Sequence, residues 1–181
     1  CGGGYSGETP VVLDLDNDGK LEIVLLVNSG GENFRLYAWD YQGQLVNGWP
    51  ITLNSDITFS DVSLKSLVAT DIDNDNISEI IIALDYYIFV FNLDGTSKTG
   101  WPQKMDCASF ADVAVADLDQ DKKKEIIYYC TYPNPNSKVY IYNYDGTLKQ
   151  NWPKQYNPAG GSEQILVGDI DNDQKKEIIF K

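Results

Sequence analysis

The chain has 181 residues, 43% hydrophobic and 12% aromatic, enough for one sizeable domain and too few for two ordinary ones. Its 27 acidic residues against 14 basic ones give a formal net charge of −13, which disfavours nucleic acid and anionic membrane surfaces as partners and favours divalent cations. No histidine occurs, excluding a Ser-His-Asp triad and the usual zinc or copper ligand, and no stretch nears the ~20 apolar residues of a membrane-spanning helix.

The chain opens on Cys1-Gly2-Gly3-Gly4 within a Gly-rich segment, residues 1–8. This start is either a chain boundary or, because it looks like a mature bacterial lipoprotein, a lipid-anchored terminus. A strand is predicted over 9–13, then an acidic loop over 14–22, then strands over 23–27, 34–40 and 44–51. The loop recurs without gaps beginning at Asp71, Asp117 and Asp169, a period near the ~50 residues of propeller blades. Aromatic-rich strands precede the turn signals Gln42-Gly43, Asp94-Gly95 and Asp145-Gly146, which favour a tight two-residue turn with positive φ. Each turn is followed by Gly48-Trp49-Pro50, Gly100-Trp101-Pro102 or Asn151-Trp152-Pro153. The fixed place of Trp49, Trp101 and Trp152 favours packing between repeats over a sugar platform, and packing is also the expectation for Trp39.

Four antiparallel strands per repeat make a β-propeller blade, so the fold class is all-β. The blades fall at 9–64, 65–110 and 111–162, with the first half of a fourth at 163–181. A ring of six to eight such blades takes about 300 to 400 residues. The chain is therefore expected to be part of a longer propeller, to pair with another chain, or to be capped by a partner, because open blade edges invite self-association. Cys107 and Cys130 flank a predicted hairpin and either form a disulfide or remain buried thiols.

The acidic loop offers oxygen ligands at alternate positions, the pattern that wraps a calcium ion. Positions one, three, five and nine are Asp14, Asp16, Asp18 and Glu22, with the backbone carbonyl of Lys20 at position seven. The second set is Asp71, Asp73, Asp75 and Glu79 with the Ile77 carbonyl, and the third is Asp117, Asp119, Asp121 and Glu125 with the Lys123 carbonyl. The fourth is Asp169, Asp171, Asp173 and Glu177 with the Lys175 carbonyl. One such loop would read as an ordinary solvated turn; four in register point to as many as four Ca²⁺ ions. Position twelve is Leu25, Ile82, Tyr128 or Phe180 and leads into a strand, which rejects helical calcium modules. Position six needs a sharp bend and is glycine only at Gly19; Lys122 and Gln174 are expected to strain it and weaken the third and fourth sites.

On these loops and their Ile-rich following strands the chain resembles the FG-GAP or VCBS repeats of integrin α-subunit-like β-propellers, without the literal Phe-Gly and Gly-Ala-Pro tags. The resemblance implies structural calcium in the blades, ligand binding on loops at one propeller face, and an extracellular or cell-surface place. The expected function is a calcium-binding module for binding or adhesion to a protein or glycan. The alternatives are part of a polysaccharide-lyase-like propeller enzyme or a structural surface or filament component. An enzyme is the weaker reading, because Arg35 is the only arginine and no basic cluster stands beside an acidic one outside the loops.

Overall fold

A computed structural model of the chain describes residues 10–28, 34–53, 66–84, 86–107, 113–130, 137–156 and 164–180. Cys1, the segment 1–8 and Thr9 lie outside the described residues. The described residues form strands and no helix. The first sheet holds β1 (Val11–Leu13), β2 (Glu22–Asn28), β3 (Phe34–Trp39) and β4 (Ile51–Thr52). The second holds β5 (Ser66–Thr70), β6 (Glu79–Leu84), β7 (Tyr87–Phe91) and β8 (Gln103–Lys104). The third is β9 (Val113–Ala116), β10 (Glu125–Cys130), β11 (Lys138–Tyr142) and β12 (Lys154–Gln155), and the fourth is β13 (Ile165–Gly168) with β14 (Glu177–Phe180). Within each sheet, strands adjacent in sequence are adjacent in space and antiparallel.

Three apolar clusters lie between successive sheets. Alternation along β6 explains how one strand serves two of them: Ile80, Ile82 and Leu84 pack with Val24, Leu26 and Leu36 of the first sheet, while Ile81 and Ala83 pack with Ile126 and Tyr128 of the third. Coverage on both faces is why β6 and β10 are buried at every residue and read as continuous apolar runs. On the first sheet the register pair Val12 and Ile23 faces away from the second and is exposed. The first strands of the sheets touch in order, β1 with β5, β5 with β9 and β9 with β13, so the sheets fan out from a common line. This is an arc of propeller blades, all-β as the repeats predicted.

Two of the tryptophans join the blades. Trp49 and Trp101 are buried, and their indole N–H groups donate to the carbonyls of Leu93 (2.6 Å) and Tyr144 (3.0 Å) in the next blade's turn. Gly48 and Gly100 make that approach possible: a Cβ there would sit 2.0 Å from the Asp94 carbonyl oxygen and 1.9 Å from that of Asp145. Trp39 stacks on Tyr37 at 5.2 Å.

Two expectations need correction. The fourth strand does not run over 44–51; one bridge pairs Leu45 with Trp39, and regular pairing resumes only at Ile51. Between them the Trp49 N–H bonds the Val46 carbonyl and Gly48 takes φ +89°, turning the chain so that Trp49 reaches the next blade. The hairpin loops are also longer than two residues. Asn92 N–H bonds Thr96 O and Gly95 N–H bonds Asn92 O, enclosing Leu93-Asp94-Gly95 with only the glycine at positive φ. Such a three-residue loop ends in a left-handed residue, which is what the glycine supplies. The cysteine alternative resolves as a buried Cys107–Cys130 disulfide that ties the chain after β8 to the end of β10, blade to blade.

Candidate metal centres

Each acidic loop joins the first and second strands of its sheet, and it folds by bonding its own backbone. The position-one aspartate accepts the position-six N–H in every copy: Gly19 at 2.8 Å to Asp14, Asn76 at 2.9 Å to Asp71, Lys122 at 3.0 Å to Asp117 and Gln174 at 2.8 Å to Asp169. The position-five aspartate accepts the position-seven N–H at 2.7 to 2.8 Å, through Asp18, Asp75, Asp121 and Asp173. The position-nine glutamate closes the loop, because Glu22, Glu79, Glu125 and Glu177 accept the N–H of Leu15, Ile72, Leu118 and Ile170. Position six is left-handed in all four copies, as the bend required. Position four is left-handed as well, at Asn17, Asn74, Gln120 and Asn172.

These bonds leave carboxylates facing one another. One oxygen each from Asp14, Asp16 and Asp18 lies within 4.8 Å of the others, and the same holds for Asp71, Asp73 and Glu79, for Asp117, Asp119 and Glu125, and for Asp169, Asp171 and Glu177. The first copy thus gathers position five and leaves Glu22 outside the group, whereas the others gather position nine and leave out Asp75, Asp121 and Asp173. The carbonyls of Lys20, Ile77, Lys123 and Lys175 belong to the residues whose N–H groups hold position five.

A hard, oxygen-seeking cation fits this donor set, which among the described residues is carboxylate throughout. One atom argues for it specifically: Asp73 Oδ1 is buried and has no hydrogen-bond partner. Burial raises the Glu22 pKa, the Leu15 N–H opposes the rise, and Asp16, Asp18 and Asp14 add to it. Burial likewise raises Glu79, against the pull of Lys98 and the Ile72 N–H.

Two residues that sequence reasoning missed enter here. Lys98 Nζ donates to Asp73 Oδ2 at 2.7 Å and to Glu79 Oε1 at 2.8 Å. Lys149 Nζ repeats this in the third blade, with Asp119 Oδ2 at 2.8 Å and Glu125 Oε1 at 3.0 Å. Burial disfavours the Lys98 ammonium, yet its bonds to Asp73 and Glu79 outweigh that and raise its pKa. The signal was present in the hairpins, which read Asp-Gly-Thr-x-Lys in the second and third copies and Gln-Gly-Gln-Leu-Val46 in the first. Neighbouring loops are also bonded together: Ser78 N–H donates to Leu15 O, and Lys124 N–H to Ile72 O. Leu15 and Ile72 are buried beneath the following loop, while Ile170 at the same place in the fourth copy is 68% exposed.

The family model described as FG-GAP-like repeat matches residues 14–82 and 117–180. No curated protein matches the chain. Among solved structures, the V. cholerae biofilm matrix protein Bap1 has a similar fold, at 17% sequence identity and a TM-score of 0.51 over 97% of this chain. The match takes in 35% of that protein, so the chain spans about a third of its length.

Proposed function

The chain belongs to the FG-GAP-like repeat family, and from that premise we propose that it is a calcium-stabilised propeller module serving binding or adhesion to a protein or glycan outside the cell. The observation that carries the calcium reading is the repetition: carboxylate oxygens converge at the same corner of all four sheets, and one of them, Asp73 Oδ1, is buried without a donor. The residues that would hold the ions are Asp14, Asp16, Asp18 and Glu22 and their equivalents in the other three loops. Bound there, calcium supplies positive charge against the mutual repulsion of each cluster. The chain's own part is to orient the oxygens through the position-four, position-five and position-six N–H bonds and to tie each loop to its neighbour through Leu15 O and Ile72 O. An extracellular place is supported by the buried disulfide and by the fold shared with a matrix protein.

Calorimetric titration of demetallated protein with Ca²⁺ tests the reading. Heat of binding with more than one ion per chain is expected, and no heat would refute it. Binding to glycan arrays and matrix proteins at fixed calcium tests the adhesion role, and sedimentation across concentrations tests whether open faces such as that of Val12 and Ile23 bring copies together.

A further inference from the structure

We propose that Lys98 and Lys149 are built-in cations of the second and third acidic loops, so that these two loops keep their shape when metal is withdrawn while the first loop, which has no such lysine among the described residues, does not. The inference rests on the calcium reading for what the first loop loses, and on the ion-pair geometry alone for what the lysines do.

Structural equivalence is set by the backbone. Lys98 N–H bonds Val90 O, Lys149 N–H bonds Ile141 O, and Val46 N–H bonds Ala38 O, so Val46 holds the same hairpin position in the first blade. Apart from that residue, the first two loops match at positions one, three, five and nine. In the second loop the ammonium joins position three to position nine, and Glu79 then has a protein donor on each oxygen, Lys98 on Oε1 and the Ile72 N–H on Oε2. Glu79 is 2% exposed and the Lys98 side chain 12%, so this charge pair is shielded from solvent and salt. In the first loop Glu22 is also buried and accepts the Leu15 N–H, but among the described residues no lysine stands within ion-pair distance of Glu22 or Asp16. Lys20 answers only Asp18, at 2.8 Å on the exposed side of the loop, where such a pair contributes little.

The lysine also leaves one carboxylate oxygen unengaged. It engages Asp73 Oδ2 and leaves Oδ1, the oxygen without a donor, for an ion. Lys98 and Lys149 are therefore positioning residues, which hold the carboxylates in place and offset part of their charge before any ion arrives.

Hydrogen exchange by mass spectrometry on the intact chain, in chelator and in calcium, tests this for the wild type and for Lys98→Met, Lys98→Arg and Val46→Lys. In chelator, wild-type loop 14–22 should exchange roughly tenfold faster than loop 71–79, and Lys98→Met should remove that difference by speeding the second loop. Lys98→Arg should keep the second loop slow. Val46→Lys should slow the first by a similar factor, a gain that survives even if Lys98→Met fails to fold. Equal exchange of the two loops in wild-type chelator, or no slowing by Val46→Lys, overturns the proposal. The calcium arm bears on the metal reading separately: calcium should slow the first loop most, and an absence of any calcium effect would sink that reading while the chelator comparison still decides the role of the lysines.

Discussion

The first and second acidic loops carry the same acids at positions one, three, five and nine, yet they are built differently. The second is braced from behind by Lys98 and sits in the blade that carries Cys107; in the first blade Val46 holds the hairpin position of that lysine. A repeated motif therefore does not make repeated sites. The two bonds that set the second loop apart come from a hairpin residue 19 and 25 positions further along the chain.

The comparison can be broken most forcefully at the disulfide. Replacing Cys107 and Cys130 by serine should lower stability by about 3 kcal/mol in denaturant melts, through the entropy of a loop of 23 residues. The loss should fall on the joint between the second and third blades and spare the joint between the first and second. Lys98→Met comes next, at about 2 kcal/mol, because it leaves buried Glu79 without its counter-charge. Val46→Ala, its counterpart, touches no charge and should cost less. Asp16→Ala should lower the melting temperature in calcium and change it little in chelator; an equal loss in both would remove Asp16 from the ligand set. Backbone strain gives a smaller effect: Lys122 sits at φ 74°, so Lys122→Gly should gain up to about 1 kcal/mol, while Gly19→Ala at φ 86° should lose about as much with no clash.

The smallest effect is on pH. Glu22 is raised above its ordinary value of 4.5 by burial and by its neighbouring aspartates, so the folded state binds its proton more tightly than the unfolded chain does. Its ionised form therefore destabilises the metal-free protein at neutral pH, and that penalty is relieved as pH falls through the raised value toward 4.5. Melting in chelator across that window should show a slight rise. Calcium should abolish it, and Val46→Lys should reduce it by supplying the counter-charge that Glu79 already has.

Much of this was legible in the residues. The Ile-rich stretch after each acidic loop foretold a strand there, and Asp14, Asp16, Asp18 and Glu22 foretold one loop, because every bond that shapes that loop closes within seven residues. The packing role of Trp49 and Trp101 followed from their fixed place in the repeat. Their partners did not, since Leu93 O and Tyr144 O lie more than 40 residues away.

What the sequence determined alone is what short-range sterics and hydrogen bonding decide: strand identity, the left-handed sixth position and the presentation of carboxylates. Tertiary structure alone decided that the fourth strand breaks at Gly48 to let Trp49 dock, that Cys107 meets Cys130, and that an ammonium stands behind two of the acidic loops. Each of these brings together groups distant along the chain, and only the stacking of one sheet upon the next sets the distance between them.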